Sequence, residues 1–294
     1  MKIEVRIILF RLGGLNVRLD CHVHTRPTSE RYGDIEHFNH KLFMDDLKSA
    51  GLDGAAVYSL SPKMFPEYSL EYRMNAALEV CKVSENLFPF FWIDPLSDGA
   101  VEQVELAVEK GFDAFKMIPT FYRIDDDKPM AVIEKIASVG KPVMFHSGIC
   151  FDGEKSSHNL RPCDFEALIK VQNLKFCLAH ISWPWTEECI ALFGKFRSAK
   201  RRYSLSSEMF IDVTPGTPEL CRDEVFRHLL LIYNMRDNLM FGSDCNTGKY
   251  EIGHSLKWQN IDDALYEKYI TEEAVDFKEH VYYKNLLRFL GKDV

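Results

Sequence analysis

Short apolar runs and amphipathic stretches alternate along the chain. Residues 17–22, 55–59, 88–93, 114–118, 142–146, 175–180, 209–213 and 238–243 have the length and apolar character of buried strands. Between them, residues 38–50, 70–84, 100–110, 130–139, 164–171, 186–197 and 219–235 carry helical spacing. Gly51, Gly111 and Gly140 stand just past three of these stretches, where a left-handed residue closes a helix. Strands alternating with helices predict parallel strands joined by right-handed crossovers. Asp20 and Asp244 lie 224 residues and seven repeats apart, and 224/7 gives 32 residues per unit. That is the unit size of an α/β fold of the (β/α)8 TIM-barrel kind, roughly 250 residues in all. A doubly wound sheet would leave the first and last strands apart, whereas a closed barrel makes them neighbours. Residues 261–290 read as one or two extra closing helices. The whole chain, 1–294, therefore reads as one barrel domain, with the barrel proper at about 17–290. Residues 1–14 stand apart. Their apolar patch at 7–10 is interrupted by Glu4, Arg6 and Arg11, and it reads as a capping strand or as an extension before the first strand. No small-residue cleavage site follows it, so a signal peptide is not expected.

Polar residues end several of the apolar runs. His22 and His24 close the first, Lys116 lies in the fourth, His146 closes the fifth, His180 the sixth, and Asp244 follows the eighth. Residues i and i+2 of a strand share a face, so His22 and His24 can both point into a barrel mouth. A lone His-x-His pair, like a lone histidine at a strand end, is more often structural. Three strand ends bearing imidazole and one bearing carboxylate, at the expected repeat, point instead to a shared divalent cation. His37, His40, His158, His228, His254 and His280 fall in helices or loops and are assigned to surface or packing, although the loop of His158 lies within reach of the mouth. The eight cysteines are scattered and form no Cys-x-x-Cys pair, which argues against a thiolate zinc cage and a disulfide framework. They fit reduced thiols in a cytoplasmic protein. Cys21 and Cys245 are expected to pack on the face opposite the neighbouring ligands.

Composition narrows the partners. A net charge of −8 argues against nucleic acid, because phosphate neutralisation needs clustered Lys and Arg. No apolar run is long enough to span a membrane. A small-molecule substrate is expected, and homo-oligomerisation stays open. The strand-end loops carry Arg26, Arg31 and Tyr32, then Trp92, Asp94 and Pro95, then Phe121, Tyr122 and Arg123, then Trp183, Pro184 and Trp185, and finally Asn246, Lys249 and Tyr250. This mixture suggests an anionic substrate, a carboxylate with a flat apolar part. The plainer alternative is solvated loop charges and aromatic residues covering the rim.

The set Asp20-x-His22-x-His24, Lys116, His146, His180 and Asp244 resembles the amidohydrolase superfamily. The flanking segments FKMIP, VMFHSG, CLAHIS and FGSD resemble its amidohydrolase-2 branch more closely. The resemblance implies a metal-dependent TIM barrel with one cation on His22, His24, His146 and Asp244, and with Asp244 and His180 as the catalytic groups that handle protons. It also leaves a two-metal form open, with a carboxylated Lys116 as bridge and His146 and His180 on the second ion. An uncarboxylated Lys116 would meet a substrate carboxylate, with Arg26, Arg123 and Trp183 as further substrate contacts. Zinc suits the donor set, and manganese or iron can occupy similar ligands. The implied reaction is hydrolysis of an ester, lactone or amide by a metal-activated water; non-oxidative decarboxylation of an unsaturated or aromatic acid is the alternative. Two rivals are weaker. The opening motif is also similar to that of the PHP phosphoesterases, but Asn246 stands where their closing motif needs His. A non-catalytic binding barrel fits poorly with a ligand set that leaves an open coordination position.

Overall fold

The computed structural model describes residues 17–293. The reading of residues 1–14 lies outside them. Eight parallel strands arise at the expected places: β1 Leu19–His24, β2 Gly54–Tyr58, β3 Leu87–Trp92, β4 Ala114–Met117, β5 Val143–Phe145, β6 Lys175–Leu178, β7 Glu208–Asp212 and β8 Leu239–Met240. A ninth, β9 (Cys245–Asn246), was not expected. The sheet order is β8-β7-β6-β5-β4-β3-β2-β1-β9, so the chain returns to its own first strand. Val23 pairs with Cys245 and His24 with Asn246. The Cys21 amide donates to the Phe241 carbonyl at 2.8 Å and the Asp244 amide to the His22 carbonyl at 3.1 Å. The sheet is a closed α/β TIM barrel.

The crossover helices are α1 His40–Ser49, α2 Leu70–Cys81, α3 Ala100–Lys110, α4 Asp127–Ser138, α5 Thr186–Tyr203 and α6 Glu219–Leu231. The stretch expected to be helical at 164–171 is a 3₁₀ helix, Pro162–Lys170. Its buried residues Pro162, Phe165 and Leu168 recur every third position, which is the period of that tighter helix. The closing region begins earlier than expected, with α7 Ile252–Ile270, and continues through α8 Ala274–Glu279 and a π turn into α9 Asn285–Leu290. One apolar layer lies between strands and helices. A second fills the barrel interior with Tyr58, Phe90, Met144 and Phe210, and Leu286, Leu287, Phe289 and Leu290 from α9 pack against it.

The register of β1 against β2 shifts between Asp20 and Val23. Leu19 and Cys21 both belong to the inner layer, whereas Val23 belongs to the outer one. A bulge of this kind breaks the alternation of faces. Cys21 is thus a packing residue, as expected, but it packs toward the barrel interior with Tyr58 rather than away from it. Asp20 goes the other way and is not aimed at the mouth. Its Oδ1 accepts from the amides of His22 and Ser243, both at 2.9 Å. Its Oδ2 accepts from the Ser243 hydroxyl and, at 2.7 Å, from Tyr250 Oη. Burial pushes its carboxyl up to about 6 even against these donors. Asp20 is a clamp across the β1–β8 seam.

Removing that clamp strands several buried donors, each costing ~1–3 kcal/mol. Asp20→Ala should therefore lower the unfolding free energy by ~3 kcal/mol or more in a urea titration, with Asp20→Asn losing less. A loss below ~1 kcal/mol for Asp20→Ala would show that the seam does not depend on it.

Candidate metal centre

β1 ends in His22 and His24, and the turn after β8 delivers Asp244. One ligand atom from each lies within 4.8 Å of the others. Asp244 Oδ1 is 3.1 Å from His24 Nε2 and 3.5 Å from His22 Nε2. Two glycines make room for this approach. A Cβ on Gly242 would stand 2.3 Å from Thr214 Oγ1 and 2.6 Å from His22 Cβ, and one on Gly216 would stand 2.7 Å from His180 Cβ.

The residue that orients the cluster went unremarked in the sequence. Asp212, the last residue of β7, is fully buried and accepts from His22 Nδ1 at 2.6 Å. An ionised carboxylate only accepts, so Nδ1 carries the proton and Nε2 keeps its lone pair toward Asp244. The other oxygen of Asp212 accepts from the Thr214 amide at 2.7 Å and the His180 amide at 3.2 Å. One carboxylate thereby fixes a ring of β1 and the backbone after β6. Burial raises its pKa, but His22, His180 and Thr214 outweigh that and hold it well below the usual carboxylate range.

Burial sets the charge states around it. It pushes His22 down to about 3, with help from Lys116 and against Asp212. It also lowers His24, and it lowers His146 well below the ordinary imidazole range. Neutral imidazoles are what a cation requires. Asp244 is raised by burial, but hydrogen bonding to His24 and the field of His22 and His180 keep it ionised. Two imidazoles and one carboxylate within coordinating distance, with the His22 tautomer fixed from behind, fit a divalent cation.

Three buried nitrogens close by have no hydrogen-bond partner: Lys116 Nζ, His146 Nε2 and His180 Nδ1. Orphaned buried donors and acceptors of this kind call for a missing partner. His180 sits between the groups, its ring centroid 5.1 Å from that of His22 and 4.9 Å from that of His146. His146 is thus next to His180 and outside the three-residue cluster. His180 and Asp244 both have left-handed backbones, with φ near 60°, a conformation that non-glycine residues adopt at a cost. Lys116 Nζ lies 5.0 Å from the centroid of the Tyr58 ring, and burial brings its pKa down to about 8.

The loop residues sort differently from the sequence reading. Arg26 lines a chamber of about 230 Å³ together with His24, Trp92 and Asp244. Neither Arg26 nor Lys116 has a carboxylate partner among the described residues. Arg123, expected to touch substrate, is instead committed to Asp125 through two bonds of 2.9 and 3.1 Å, two residues away on an exposed loop. Trp183 lines neither this chamber nor the larger one beside it; its carbonyl accepts from the Ile149 amide. Arg31 and Tyr32 both bind Asp46, Lys249 pairs with Glu251, and Tyr250 is buried on Asp20.

The chain belongs to the amidohydrolase family: the Amidohydro_2 family model, described as Amidohydrolase, matches residues 19–292. No curated protein matches the chain in sequence. Similar solved structures include a probable 2-pyrone-4,6-dicarboxylic acid hydrolase from Acinetobacter baumannii with citric acid bound, at 11% identity and a TM-score of 0.58, covering 93% of this chain and 99% of that one. An amidohydrolase II shares 15% identity at a TM-score of 0.62, over 94% of this chain and 100% of its own. The dihydroorotase of Campylobacter jejuni shares 12% at 0.55, over 95% and 84%. At these identities the likeness is one of fold.

Outer partners of metal-ligating histidines typically set 10- to 100-fold in affinity, so Asp212→Asn should weaken zinc binding by about that factor in a chelator competition. An unchanged affinity would remove Asp212 from the centre.

Proposed function

We propose that this chain is a metal-dependent hydrolase that opens an ester, lactone or amide bond of a carboxylate-bearing small molecule. The observation that carries the reading is the convergence of His22, His24 and Asp244, with His22 locked by Asp212. His22 Nε2, His24 Nε2 and Asp244 Oδ1 would hold a single cation, with His146 as the candidate fourth ligand. Zinc is the preferred ion for imidazole and carboxylate donors. Once bound, the ion supplies Lewis acidity that polarises a carbonyl and brings the pKa of a coordinated water near 7.

The chain's own groups supply the rest. Asp244 directs one carboxylate oxygen to the cluster and keeps the other for a proton. His180, with Nδ1 unpartnered and its ring beside both His22 and His146, takes up and returns protons during attack and departure. Lys116 Nζ, uncarboxylated and shielded from water, and the Arg26 guanidinium are the cations that would meet an acid group on the substrate. Tyr58 and Trp92 flank His24 and shield the cluster on that side.

Turnover in ¹⁸O-labelled water tests the reaction class: hydrolysis places the label in the new acid, whereas release of carbon dioxide with no label in the remaining organic product would mean decarboxylation. His180→Asn should keep its metal and lose about 10²–10⁴ in kcat, the usual worth of a positioned proton carrier. Loss of metal along with activity would make His180 a ligand and overturn its role as proton carrier.

A further inference from the structure

Beside the metal chamber lies a second, larger one of about 660 Å³. Ser61, Met64 and Trp92 line both, so the two adjoin. Trp92, at the end of β3, forms the shared wall, its ring centroid 5.5 Å from that of His24. Four successive strand-end loops give the outer chamber an apolar rim: Met64 is 55% exposed, Leu96 41%, Phe121 59% and Phe151 86%. Large apolar side chains this exposed, converging on one concavity from separate loops, mark a binding surface rather than scattered surface residues.

We infer that the outer chamber is a specificity subsite for an uncharged aromatic or long alkyl arm of the substrate, running from the metal chamber over Trp92 toward Phe121 and Phe151. The inference rests on the hydrolase reading for its choice of the acid end, and it adds the shape of the other end. Volume supports it. At ~30 Å³ per water the outer chamber alone has room for roughly twenty waters, far more than a small diacid would fill. Charge supports it as well. Lys63 and Asp152 pair at 3.2 Å between the loops after β2 and β5, and Lys63 Nζ lies 4.1 Å from the centroid of the Phe121 ring. Asp94 accepts from the Leu96 amide. Among the described residues, Lys63 is the one Lys or Arg that lines this chamber, and Asp152 already pairs with it, whereas Lys116 and Arg26 serve the inner chamber. The substrate is therefore polarised, with its anionic end inside and its apolar end outside.

Binding of two unreactive acids to the zinc-loaded full chain, measured by titration calorimetry, tests this without needing turnover. 4-Phenylbutyrate should bind about tenfold or more tighter than butyrate, the scale on which apolar pockets discriminate. The preference should collapse in Phe121→Ser/Phe151→Ser, and it should persist in Leu220→Ser, an exposed apolar residue on α6 that lines neither chamber. Equal affinities, no binding of either acid, or a preference that survives the double substitution would overturn the subsite. So would a change in sedimentation mass on the double substitution, which would make the rim a subunit interface. If the preference is found but no ester, lactone or amide is turned over, the hydrolase reading fails and the subsite stands.

Discussion

The hydrogen bonds between the first and last strands govern the rest of the mouth. The Cys21 amide reaches Phe241, the Asp244 amide reaches His22, and the buried carboxylate of Asp20 gathers the amide and hydroxyl of Ser243 with the hydroxyl of Tyr250. Without that seam, His22 and His24 would have no reason to meet Asp244, 222 and 220 positions further along the chain. With it, the His pair and the carboxylate face each other within coordinating distance, and the β1 bulge turns His22 inward above Cys21. The polar clamp is therefore a condition for the chemistry, although it touches no reacting atom.

A second constraint is electrostatic. The barrel interior is apolar, so burial keeps its imidazoles neutral and lowers the pKa of Lys116. The carboxylates behave oppositely, because Asp212 and Asp244 have donors close by and stay ionised. The result is an ionised pair of acids among neutral bases, the distribution a divalent cation favours. Left-handed backbones at His180 and Asp244 oppose this arrangement at a cost of about 1–3 kcal/mol each, a strain that the surrounding hydrogen bonds offset.

Much of the barrel could be read from residue order. The apolar runs placed all eight strands, their 32-residue average spacing pointed to a barrel, and the strand-end His and Asp residues stood out because imidazole and carboxylate are unexpected beside buried apolar runs. Asp212 did not, because a single Asp closing an apolar run has no partner spacing to mark it, and its role appears only once barrel closure brings the end of β7 beside the ring of His22 on β1. Asp20 stood out only as part of the motif around the His pair; the bulge that turns it to the seam is set by pairing with β2 and is invisible in one strand. Charge on the loops could not be apportioned for a related reason. Arg31, Arg123 and Lys249 lie beside carboxylates of their own, whereas Arg26 and Lys116 keep no such partner among the described residues. The outer chamber was legible only in part: Trp92, Asp94, Phe121 and Tyr122 stood out as strand-end residues, but the concavity exists only where four loops distant in sequence adjoin.

Anomalous diffraction at the zinc edge from crystals of zinc-loaded protein tests the central claim most directly. A strong peak is expected within coordination distance of His22 Nε2, His24 Nε2 and Asp244 Oδ1 together. A peak that touches only one side of the β1–β8 seam, or that lies elsewhere while those three atoms stay unliganded, would contradict it.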